Sequence, residues 1–203
     1  KNLQGDKENL YQLVDGLVGS GYTLNLKDLD KLAPLVGLAD KMPTLLADLK
    51  EVVGYQFDPK DTEMLANLAG GDFTKDRLTS LRGLYDRYKN QYDGEFGLNW
   101  VQRVAVLEGN ESVITQLEQN TGHKFTLYDT ESLKLLVNAS DRDKVFGALH
   151  VLQSKFGMQF QINNMSLYVS FSNIPDLGRK LDEAAISLPQ GELNDGNNLR
   201  LFA

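Results

Sequence analysis

The first 95 residues place apolar side chains with a helical period. Leu10, Leu13, Val14, Leu17 and Val18 fall three and four positions apart and stop at Gly19-Ser20-Gly21, which predicts a first helix. Leu26, Leu29, Leu32, Ala33 and Val36 repeat the spacing behind Asn25, a suitable N-cap, and before Gly37. Leu45, Leu46, Leu49, Val52 and Val53 form a third face ending at Gly54, and Asp58-Pro59 opens a fourth that runs through Met64, Leu65 and Leu68 to Gly70-Gly71. Pro34 and Pro43 stand where they would kink or reset these helices. Thr74 caps a longer segment with Leu78, Leu81, Leu84, Tyr85 and Tyr88 on one face, and the polar stretch Asn90-Gln91-Tyr92-Asp93-Gly94 reads as a linker.

After Gly97 the pattern turns to alternation. Trp100, Gln102, Val104 and Val106 fall on one side of an expected strand over 100–107, with Val101, Arg103, Ala105 and Leu107 on the other. Val113, Ile114 and Leu117 predict a helix that Gly122 stops, Phe125 and Leu127 a second strand, and LKLLVN from Leu133 a third. Asp141 caps a helix with Val145, Ala148, Leu149 and Leu152 on one face, and Gly157 leads into strands over 158–162 and 167–171 joined at Asn163-Asn164. The expected fold is therefore α+β. A helical region over 1–95 precedes a strand-helix-strand-strand-helix-strand-strand sandwich over 98–173, followed over 174–203 by a short helix (Leu177, Leu181, Ala184, Ala185) and a flexible tail.

One phrase is said twice. Leu117, Gly122, Phe125 and Leu127 recur 35 positions later as Leu152, Gly157, Phe160 and Ile162. With its flanking alternating runs, the stretch 100–171 resembles the secretin and TonB short N-terminal domain, on Leu117, Thr121-Gly122 and Phe125-Thr126-Leu127-Tyr128-Asp129, then 133–138, Asp141, Leu152, Phe156-Gly157-Met158, Phe160, Ile162 and Leu167-Tyr168-Val169. The opening of its second helix, Asp141-Arg142-Asp143-Lys144, departs from the usual acidic and small residues, and 1–97 matches nothing in that family. The resemblance implies a non-catalytic docking module of an envelope-spanning secretion, pilus or conjugation machine: periplasmic, outer-membrane associated, oligomeric in its complex, with other protein subunits as partners. Sheet-edge addition would then run through Val104, Val106, Leu167, Val169 and Phe171.

Composition narrows the chemistry. The 203 residues, 41% hydrophobic with a net charge of -7, can bury a core and offer no basic face for nucleic acid. There is no cysteine, and with only His123 and His150 a zinc site would lean on carboxylates, so no metal or cofactor is expected. No apolar run reaches the roughly 18 residues of a membrane span. The chain begins with Lys1, which reads as a processed start and permits a removed signal peptide or lipid anchor.

Neither Gly19-Ser20-Gly21 nor Gly70-Gly71 has the strand before it or the lysine after it that a phosphate loop needs. The carboxylate pairs Asp28/Asp30, Asp58/Asp61 and Asp182-Glu183 sit at helix starts or on polar faces, and Asp58, Asp61 and Glu63 lack a calcium loop's ligand spacing. Tyr85, Tyr88 and Tyr92 read as packing before they read as an aromatic ligand box. Ser112, Ser132, Ser140 and Ser154 have no nucleophile turn to set beside a histidine, so no catalytic residue is expected. A phage or virion assembly protein is the alternative reading, and an enzyme the third.

Overall fold

The computed structural model describes residues 7–91 and 93–187, and these are helical, with no strand among them. In chain order come α1 (Lys7–Gly19), a 3-10 segment (Leu26–Leu38), α2 (Met42–Val53), α3 (Thr62–Gly70), α4 (Lys75–Tyr88), α5 (Leu98–Ala105), α6 (Glu111–Thr121), α7 (Thr130–Val137), α8 (Arg142–Phe156), α9 (Met165–Ser172) and α10 (Leu177–Ser187). Short 3-10 turns at Pro59–Asp61, Leu127–Asp129 and Ile162–Asn164 lead into α3, α7 and α9. The chain divides into two compact units, one running to Arg87 with Gln91–Ala105, the other made of Tyr88–Asn90 and the residues from Val106 on.

The expected α+β sandwich is thus corrected to an all-helical fold. The stretch 100–107 belongs to α5 and the turn after it, 133–138 to α7 and its C-cap, and 167–171 to α9. Burial shows why alternation misled: Leu98, Val101, Val104 and Leu107 are the core positions, and three-residue steps are helical. In α9 the buried Met165, Tyr168 and Phe171 keep the same step. A short apolar run satisfies both periods, and only its packing partners decide between them. The Asn163-Asn164 hairpin is a 3-10 turn at the entry to α9, so the sheet edges expected at Val104, Val106, Leu167, Val169 and Phe171 do not exist; Val104, Leu167 and Phe171 are buried, and Val106 and Val169 half-buried.

The helices of residues 1–95 follow their caps. Asn25 accepts the amide of Lys27 at 3.2 Å, Asp58 that of Lys60 at 2.9 Å, and Thr74 that of Arg77 at 3.4 Å. In the first unit α1 packs on α2 and on the 3-10 segment, which packs on α3. Pro34 removes a backbone donor inside that segment, whose buried residues are Leu32, Leu35 and Val36, while the expected face residue Leu26 is exposed. Gly16 allows the close approach of α1 to α2, since a Cβ there would stand 3.0 Å from Pro43. Tyr85 is buried against Phe96 and Trp100, its ring centroids 5.2 and 5.4 Å from theirs, which is packing and not a ligand box. Tyr92 and the tail beyond Ser187 lie outside the described residues.

In the second unit α7 packs on α8, both pack on α9, and α10 packs on α8. Each contact joins sequence neighbours or next neighbours, the mark of stacked helix pairs. The doubled phrase is the exit from one pair and the entry to the next. Gly122 (φ 70°) and Gly157 (φ 63°) end α6 and α8 in the left-handed conformation that costs side-chain-bearing residues about 1–2 kcal/mol. The first unit has the same joint at Gly21 and Gly54, 33 positions apart, so the phrase is part of a longer repeat.

Candidate interaction surface

Each complete joint follows one plan. After the left-handed glycine the chain leads to a cap with extended backbone at Asn25, Asp58, Thr126 or Gln161, and a further polar residue follows three positions on, at Asp28, Asp61, Asp129 or Asn164. At Gly122 the residue behind the glycine is His123, whose Nε2 lies 3.0 Å from Oδ2 of the buried Asp129. A histidine-carboxylate dyad invites a catalytic reading, and its surroundings answer it. Asp129 Oδ2 also accepts the Thr126 amide at 2.8 Å and the Thr126 hydroxyl at 3.1 Å, so the carboxylate caps the entry to α7.

The equivalent pair at Gly54 is Tyr55 and Asp61, in which the phenol donates to Asp61 Oδ2 at 2.9 Å and accepts the Asp58 amide at 3.1 Å. Burial pushes the Tyr55 hydroxyl above its ordinary range, and the neighbouring Asp61 adds to the shift. Two different side chains thus do one job, latching the joint to the next helix. His150, the other histidine, is exposed on α8. Asp28 pairs with Lys31 at 2.6 Å and Glu183 with Arg179 at 2.5 Å. Among the described residues no three metal-ligating side chains converge, and no helix is long and apolar enough to cross a membrane.

The opposite ends of the helix pairs carry the more distinctive surface. In the first unit, Lys41, Thr44, Leu45 and Asp48 at the start of α2 face Leu68, Ala69, Gly70, Asp72 and Phe73 across a hollow of about 410 Å³. In the second, Lys144, Gly147, Ala148 and Val151 of α8 face Phe171, Ser172, Asn173, Asp176 and Leu177 across one of about 630 Å³. The two sets correspond position by position, 103 residues apart on the helix side and 103 or 104 on the loop side. Both loops turn on an aspartate at φ 53°, Asp72 and Asp176, a conformation Asp tolerates better than most residues. The same hollow is built twice.

Its walls are fixed. The Arg77 guanidinium lies 4.2 Å over the Phe73 ring and donates to the Gly71 carbonyl, and Lys41 Nζ reaches the Ala69 carbonyl at 3.4 Å. At the second hollow Asp141 accepts the Lys144 amide at 3.1 Å, which holds its carboxyl below the usual range. Within the two units, the loops between paired helices carry Asp40, Asp72, Asp141 and Asp176, an acidic residue in each. No sequence signal marked the hollows, whose two walls are separated by 19 residues of intervening chain. Comparison with protein-family models, curated proteins and solved structures finds no match for this chain.

Proposed function

We propose that this chain is a non-catalytic interaction protein, a scaffold of helix pairs in which each unit offers a partner protein the hollow beside its intra-pair loops. The recurrence of one hollow at corresponding positions of two units carries the reading. Both copies turn on a left-handed aspartate, and repeat scaffolds bind partners on surfaces that their repeats share. The acidic loops and the net charge of -7 favour a partner with a basic contact surface.

The expectation of a secretion, pilus or conjugation machine rests on a sheet that the described residues do not form. The part we retain is docking to other proteins.

A photoreactive phenylalanine at Thr44 or Gly147 tests the proposal in cells of the native source. Thr44 is exposed, and Gly147 has open space where its side chain would go. Both positions should crosslink to the same protein, while Lys124 and Gln159 at the joint edge should not. Equal crosslinking from both edges, or none from 44 and 147, would refute it.

A further inference from the structure

The two hollows share a frame but not a charge. Lys41, Leu68 and Asp72 of the first hold the places of Lys144, Phe171 and Asp176 in the second, so each has a lysine, an aspartate and a buried apolar side chain in its lining. Two positions set them apart. Where α2 presents the half-buried Asp48, α8 presents Val151, and the exposed Asp40 has no counterpart in the second lining. The first lining therefore carries three carboxylates against one ammonium, and the second one of each.

The cations near the first hollow are held elsewhere. Lys41 Nζ reaches the Ala69 carbonyl, the Arg77 guanidinium lies over the Phe73 ring, and Lys75, near Asp48, is paired with Glu51. Among the described residues Asp40, Asp48 and Asp72 have no ion-pair partner. Three carboxylates on one concave surface repel one another, and a cation seated among them relieves the repulsion. The floor beneath them is apolar, since Leu45, Leu68 and Ala69 are buried.

We infer, on the reading that the hollows hold a partner protein, that the first is an arginine pocket: it takes one arginine side chain of that partner, and the second hollow takes none. Arginine matches both features of the lining. Its methylene stem lies along Leu45 and Phe73, and its planar head, with donors in a fixed fork, serves more than one carboxylate at once. Lysine ends in a compact, strongly hydrated ammonium, a single point of charge that must shed more water to enter.

The test is a titration of the whole isotope-labelled chain, read by amide NMR shifts, with three capped amino acids. These are Nα-acetyl-arginine methylamide, its citrulline analogue, which has the shape without the charge, and its lysine analogue. The arginine compound should shift the amides around Thr44, Asp48 and Asp72 saturably, with a dissociation constant on the order of millimolar, and leave those around Gly147 and Asp176 unmoved. It should bind at least about fivefold tighter than the lysine compound and about tenfold tighter than the citrulline one. Asp48→Asn, and Asp48→Val, which copies the second hollow, should each weaken it by about fivefold or more, and about 0.5 M salt should weaken it severalfold. Asp48 is half-buried with no ion pair to lose, so circular dichroism should show both variants folded. Equal shifts at both hollows, equal binding of the lysine or citrulline compound, or undiminished binding by either Asp48 variant would each overturn the inference. Crosslinking from Thr44 and Gly147 reads the partner separately: crosslinks without arginine binding would sink the pocket alone, and arginine binding without crosslinks would keep the pocket and sink the partner.

Discussion

Single residues do their most telling work at the joints. Asp129 accepts from the Thr126 amide and hydroxyl and faces His123, so Asp129→Ala should cost about 1–2 kcal/mol in urea unfolding, the range of a lost helix cap. The tyrosines set an alkaline limit. Burial raises the Tyr22, Tyr55 and Tyr168 hydroxyls above the ordinary value of 10.0, so the fold accommodates the neutral phenols. A folded-state value above the unfolded one means that the stabilisation is complete below pH 10 and is lost as pH rises through the folded-state values. Melting temperatures should hold to about pH 10 and then fall. Tyr55→Phe should flatten part of that decline, and an unchanged profile would show that Tyr55 ionises without unfolding the joint.

At the scale of elements, glycines with different surroundings should give opposite results. Gly16→Val would drive a branched side chain into Pro43 and should cost about 1–3 kcal/mol, whereas Gly147→Ala, inside α8 with open space around it, should gain about 0.5–1 kcal/mol. Thermal melts of the two variants check both signs. Helices with caps and glycine stops were legible in the sequence: Asn25, Asp58, Thr74 and Asp141 all accept the amides their spacing suggested. The strands were misread because α5 and α9 are only eight residues each, too short for apolar spacing to separate one period from the other. Next to Phe125 and Phe160 the backbone is extended, at Thr126 and Gln161, but it turns into a 3-10 entry before a ladder could form. The candidate surface was hidden for another reason: α2 and the α3–α4 loop meet only through the stacking of successive pairs.

For the whole molecule, the main contacts within each unit join neighbours or next neighbours in sequence, so refolding followed through Trp100, the only tryptophan, should be complete on the order of milliseconds or faster. Seconds-long folding would contradict that expectation. The matched glycines of the doubled phrase also make the chain editable. Because Gly122 and Gly157 end their helices in the same backbone state, the 35 residues 123–157 form a cassette with interchangeable ends. Splicing a second copy of that cassette behind Gly157 should lengthen the protein by one helix pair without frame repair, and the product should still melt cooperatively with more helical signal per molecule. On this view the glycine is a splice mark: it tells the chain where one module may be set down and another picked up.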